Sequence, residues 1–147
     1  MRVYSKEKVL ELEKKLQKIK KETKENTWKS CFGFDGYEIN EMGVVKRKEK
    51  TISRLKPRGK NGEVQNFYYK EKIMRPLCVG VDQRWKGIKL NVEYNKPKQM
   101  SLAKLLASAF LEIDPKILPK FIFFLDGDSN NVILSNLTFL KRSFRED

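Results

Sequence analysis

The chain of 147 residues contains no histidine. That one absence removes the Ser/His/Asp triad, the Cys/His pair, the HExxH zinc helix and every Cys2His2 site. Cysteine is scarce too. Cys31 and Cys78 are too few for a disulfide framework or a four-thiolate zinc site, and they suit a reducing compartment. No run approaches the ~18 consecutive apolar residues of a membrane helix. The first 25 residues interleave charge with apolar positions, so no secretory signal is expected. Internal repeats and low-complexity linkers are absent. An enzyme built from what remains would work through carboxylates, lysine or tyrosine, with a magnesium ion as one possible aid.

What is present in excess is positive charge: 32 Lys and Arg face 19 Asp and Glu, a formal net charge of +13. The excess is uneven. Residues 1–27 hold 9 bases and 5 acids, residues 28–100 hold 17 and 8, and residues 101–147 hold 6 and 6. The densest run, KRKEKTISRLKPRGK over 46–60, carries Lys46, Arg47, Lys48, Lys50, Arg54, Lys56, Arg58 and Lys60 against the single acid Glu49. Such a density repels itself unless a polyanion meets it, and it is the electrostatic footprint expected of a nucleic-acid binder. Phe67, Tyr68, Tyr69 and Trp85 follow it. A solvated basic loop is the plainer alternative.

Hydrophobic periodicity divides the chain in three. Residues 5–25, within a first segment 1–27, predict an amphipathic helix: Val9, Leu12, Leu16 and Ile19 recur at helical spacing, with Ser5 as candidate cap and Glu25-Asn26-Thr27 as its end. Its apolar stripe suits its own domain, a partner, or a second copy. Residues 28–100 predict short strands: GFDGYEINEMGVVKRK, EVQNFYYKEKIMRPLCVGV and RWKGIKLNVEY, the last with clear alternation through Ile88, Leu90 and Val92, and a turn at Asn95-Lys96-Pro97. In 101–147, Ser101 caps a helix with Leu102, Leu105, Leu106, Ala109 and Phe110 on one face, and Asp114-Pro115 breaks it. FIFFLDGDSNNVILSNLTFL then predicts strand, turn, short irregular segment and strand. The expected class is α+β: an N-terminal amphipathic helix, a small antiparallel β-rich basic region, then a helix and a short hairpin.

These blocks, in this order, resemble phage HNH homing endonucleases. Trp28, Gly33, Tyr37, Ile39, Asn40, Gly43 and Val45 are similar to the DNA-binding motif that precedes the nuclease. KIMRP, GIKLNVEY and LAKLLASAF resemble the family's next blocks, and LDGDSNNVILSNLTFL resembles its HNH segment. The likeness spans about residues 28–147 and implies a truncated ββα-metal hairpin at the end. In that family a histidine closing the first strand deprotonates water, and a carboxylate before it and a polar helix residue hold one divalent metal. Here the carboxylate position falls on Phe123, the histidine position on Phe124 and the helix ligand on Arg145, while Asn136 is retained; a further family histidine falls on Ala103. A phenyl ring neither accepts a proton nor binds a hard cation.

The resemblance therefore implies a nucleic-acid-binding protein, double-stranded DNA favoured over RNA, derived from a nuclease and catalytically inactive, with no cofactor and no membrane. Phosphate contacts are expected from the eight bases of 46–60 with Arg75, Arg84 and Lys86, and base contacts from Arg54, Arg58, Asn61 and Gln65. The expected setting is the cytoplasm of a phage-infected bacterial cell, or a nucleoprotein particle. Two alternatives stay open. One is a structural, RNA-binding part of a ribonucleoprotein or phage particle. The other is a nuclease active with magnesium or manganese through Asp126, Asp128 and Asn136. Asp126-x-Asp128-x-Asn130 also mimics the start of a calcium loop, but Asn131 and Leu137 stand where that loop needs Gly and Glu, so a plain turn is expected.

Overall fold

The computed structural model describes residues 6–55, 62–79, 85–93, 96–119 and 122–140. It is α+β. Helix α1 (Lys6–Glu22) leads into a four-stranded antiparallel sheet of β1 (Trp28–Ser30), β2 (Tyr37–Asn40), β3 (Val45–Arg47) and β6 (Lys72–Met74), in that order. Between β3 and β6 the chain makes a two-stranded ribbon of β4 (Lys50–Leu55) and β5 (Val64–Tyr69). A three-stranded antiparallel sheet follows, β7 (Leu77–Val79), β8 (Trp85–Glu93) and β9 (Lys96–Ser101). Helix α2 (Leu102–Leu111) comes next. A short hairpin of β10 (Phe123–Phe124) and β11 (Leu137–Thr138) ends the described chain.

One hydrophobic cluster draws on all three sequence segments: Leu12 and Leu16 of α1, Ile39 and Val45 of the first sheet, Ile88 and Leu90 of β8, and Leu105, Leu106 and Phe110 of α2. Ser101 caps α2 as its sequence position predicts, its Oγ accepting from Lys104 N at 3.4 Å. The helix is buried on nearly every side: besides the apolar face, the small residues Ala103, Ala107 and Ser108 are buried as well. Glu112, in the left-handed region at φ 56°, closes it.

Several expectations need correction. Helix α1 stops at Glu22 rather than near residue 25; Asn26 then turns the chain at φ 59°, and Ser5 lies outside the described residues. Of the three seats open to the α1 stripe, its own domain takes it, since Leu12 and Leu16 are buried and Val9 and Ile19 pack against the core. Lys96 and Pro97 belong to β9 and not to a turn. The short strands expected within 63–81 are distributed over three sheets as far as residue 79, with breaks at Lys70-Glu71 and Arg75-Pro76. Asn136 sits in a single helical turn, Leu134–Asn136, one residue before β11.

A buried carboxylate seats α1. Glu13 Oε1 accepts from Thr138 Oγ1 at 2.9 Å and Gln17 Nε2 at 2.8 Å, and its Oε2 accepts from Phe139 N at 2.7 Å. Lys20 Nζ donates to Leu137 O. Burial holds the Lys20 ammonium below its ordinary pKa, while the Glu13 charge works the other way. Among the described residues no helix is long and apolar enough to cross a membrane.

Candidate nucleic-acid interface

The basic run begins on the outer face of the first sheet, and its first members are already engaged. Register pairs Lys46 with Glu38 across β2–β3 and with Ile73 across β3–β6. The Lys46 ammonium lies 3.7 Å from Glu38 and 3.8 Å from Glu71, over the Trp28 ring at 4.2 Å from its centroid. Lys48 reaches Glu38 at 3.8 Å. Two acids remote in sequence from the run thus offset it in space. Arg47 donates from Nη2 to Lys70 O at 3.1 Å and stacks its guanidinium over Tyr69, while its Nε is buried without a hydrogen-bond partner among the described residues. On the same sheet Cys31 is buried, and desolvation, reinforced by the Glu38 charge, pushes its thiol up to about 12.

The ribbon is different. None of its described side chains belongs to the hydrophobic cluster. Its register runs from Lys50↔Tyr69 at the root to Leu55↔Val64 at the far end, so Thr51 pairs with Tyr68, Ser53 with Asn66 and Arg54 with Gln65. Tyr69 at the root sits under both Arg47 and Lys50. Glu49 accepts from Tyr68 OH at 2.6 Å, a bond that raises the phenol's pKa. The connection between the strands holds Lys56, Arg58, Lys60 and Asn61, which lie outside the described residues, as does Arg84. Arg75 and Lys86 come together, both lining an open groove of about 380 Å³ beside Met42, Ile73 and Val132. The described members of the expected set are therefore divided among a sheet face, a ribbon and a groove.

The C-terminal hairpin shows how the remaining candidates are used. Phe123 pairs with Thr138 and Phe124 with Leu137; both phenylalanines are half-buried, and Phe124 packs against the core. Asp126 Oδ1 accepts from Asp128 N at 2.8 Å and from Asn136 Nδ2 at 2.9 Å, and its Oδ2 accepts from Asn131 Nδ2 at 2.8 Å. Asn136 Oδ1 in turn accepts from Asp126 N at 3.1 Å. These donors, Asn131 first, hold the Asp126 carboxyl below its ordinary pKa. Asp128 Oδ1 accepts from Asn130 N at 2.9 Å. The arrangement is a turn stitched by its own side chains. It does not fit the metal of an HNH centre: the two positions to which the resemblance assigns base and carboxylate carry rings, and the nearby Asp126 carboxylate accepts from loop amides. Arg145 lies outside the described residues. Ala103 is buried in α2.

What the sequence reading missed is the uncharged side of the ribbon. Asn66, exposed beside Ser53, falls on the face opposite to Gln65, because successive strand residues alternate. Only the pairing register reveals that. No family model, no curated protein and no solved structure matches the chain.

Proposed function

We propose that the protein binds nucleic acid, duplex DNA in preference to RNA, on a scaffold related to HNH homing endonucleases and without hydrolytic chemistry of its own. The observation that carries this reading is the ribbon. Its described side chains add nothing to the hydrophobic cluster, and its strands and connecting segment carry Lys50, Arg54, Lys56, Arg58 and Lys60 in a chain with net charge +13. A two-stranded element whose described side chains stay outside that cluster, and whose sequence is rich in cations, suits a polyanionic partner better than it suits stability. The half-buried Phe123 and Phe124 and the internally bonded Asp126 support the loss of cleavage.

The test is to titrate the purified chain into duplex DNA at low ionic strength and to incubate it with supercoiled plasmid and magnesium or manganese. Duplex binding without nicking is expected. Nicking that disappears in Asp126→Asn would overturn the inactive assignment, and failure to retain any duplex would overturn the binding assignment.

A further inference from the structure

We infer that the groove beside Arg75 and Lys86 holds one unpaired nucleotide of the bound nucleic acid, its phosphate on the two cations and its base against Met42 and Ile73. This rests on the nucleic-acid reading above and goes beyond it by adding a second site, which no described residue of the β4–β5 ribbon lines. The groove follows the outer edge of β6, the last strand of the first sheet. Ile73 and Met74 point to opposite sides of that strand, yet both line it, with Arg75 and Pro76 next in the chain. The turn 42–44 and the stretch 130–133 line it as well. Its volume, about 380 Å³, is that of a small-ligand site, for which ~300–1,000 Å³ is usual.

Two cations share this groove without an acid. Among the described residues no Asp or Glu lines it, and neither Arg75 nor Lys86 has an ion pair or a hydrogen bond. Lys46 and Lys48, by contrast, are matched by Glu38 and Glu71. Lys86 is the more telling of the two. Strand alternation puts it on the side of β8 that carries the buried Ile88 and Leu90, and it is itself half-buried. A cation held on an inward face without a counter-charge is costly until an anion joins it. The planar fork of Arg75 adds the geometry that suits a phosphate.

The rest of the lining asks for more than a phosphate. Leu102 and Val132 are buried there, while Met42 and Ile73 stand 56% and 54% exposed on the same groove. Paired DNA offers base edges and phosphates, its ring faces hidden in the stack. Exposed apolar side chains meet a ring face only when a base leaves that stack, and a methionine thioether packs well on an aromatic ring. The Asn130 carboxamide is exposed and makes no hydrogen bond among the described residues, so donors and an acceptor are on hand for a base edge. Phosphate, ring face and polar edge occur together in a single nucleotide. An acidic peptide would have to supply them from separate side chains.

The experiment titrates the full-length protein into two DNA duplexes of equal length at one ionic strength, one fully paired and one carrying a single bulged 2-aminopurine. The bulged duplex should bind roughly tenfold more tightly, as one base face is gained, and its fluorescence should rise as the base leaves its neighbours. Met42→Ser combined with Ile73→Thr, both at exposed positions, should abolish the difference and the fluorescence rise while paired duplex binds as before. Lys86→Gln should weaken the bulged duplex more than the paired one. Equal binding of the two duplexes, or a preference that survives the double substitution, would overturn the inference while the nucleic-acid function stands. So would release of the bulged duplex alone by polyglutamate, which would give the groove to an acidic peptide. Saturation by AMP with both duplexes bound alike would give it to a free nucleotide and overturn the inference too. Failure to bind either duplex would remove both readings.

Discussion

At position 43 there is no room for a side chain. A Cβ built there would lie 2.1 Å from Val132 O, and the backbone is left-handed at φ 75°. Gly43 completes the β2–β3 turn, donating its N–H to Asn40 O at 3.0 Å while Asn40 Oδ1 collects the amides of Met42 and Val44. Replacing it with alanine strains the backbone and forces apart the contact between that turn and the 126–136 loop. Gly43→Ala should cost about 3 kcal/mol or more, against about 1 kcal/mol for Gly36→Ala, where φ is also positive but the space is open. Chemical denaturation of the two variants side by side checks the difference. The glycine was legible from its spacing to Tyr37 and Asn40, but the reason for it was not, because Val132 belongs to a distant stretch of chain. Asn136 was legible in the same partial way: the resemblance marks it as retained, and its observed partners, Asp126 and Asn131 O, give it a purely architectural duty.

At the scale of elements, local signals read well and long-range ones poorly. Helix α2 follows from a serine cap and a 3-4 spacing, both contained within ten residues. The alternation of β8 likewise survives as buried Ile88 and Leu90 around exposed Lys89. Helix α1 was visible as an amphipathic segment, but its seat was not, because the polar residue that decides it, Glu13, looked like one more solvated acid. Glu13→Ala would leave the Thr138 hydroxyl, the Phe139 amide and the half-buried Lys20 without their carboxylate. The expected loss is about 3 kcal/mol, since orphaned buried donors cost far more than the net worth of their bonds. Urea melts should show it, with Glu7→Ala, on the exposed side of the same helix, close to wild type. The ribbon was harder still. Its strands read as β, yet nothing in the linear pattern separates it from the sheets on either side.

At the scale of the whole molecule, the excess charge among the described residues is divided among a sheet face, a ribbon and a groove. Glu38 and Glu71 draw Lys46 and Lys48 into local pairs, so the run 46–60 is less cationic at its start than its sequence suggests. Linear charge counts cannot see this, because sheet register brings the acids in from other strands. On the proposed reading, the weight of phosphate binding therefore shifts to the later bases of the run. Lys56→Ala combined with Arg58→Ala should weaken duplex binding and flatten the slope of log affinity against log salt by about two. Affinity measured across a salt series reads both quantities. Lys46→Ala should change that slope far less, its charge being already balanced. The α+β class and the order of elements were recoverable from periodicity; which bases remain available to a partner was not.

The Glu13 seat on Thr138 and Phe139 also sets a clock for biosynthesis. The helix leaves the ribosome first, and the strand that receives its carboxylate is made more than a hundred residues later, on the order of ten seconds at ordinary elongation rates. Through that interval a nascent chain carries an acid whose donors are still unmade. Holdase chaperones should engage it there, and a stalled translation product ending short of Leu137 would remain their client.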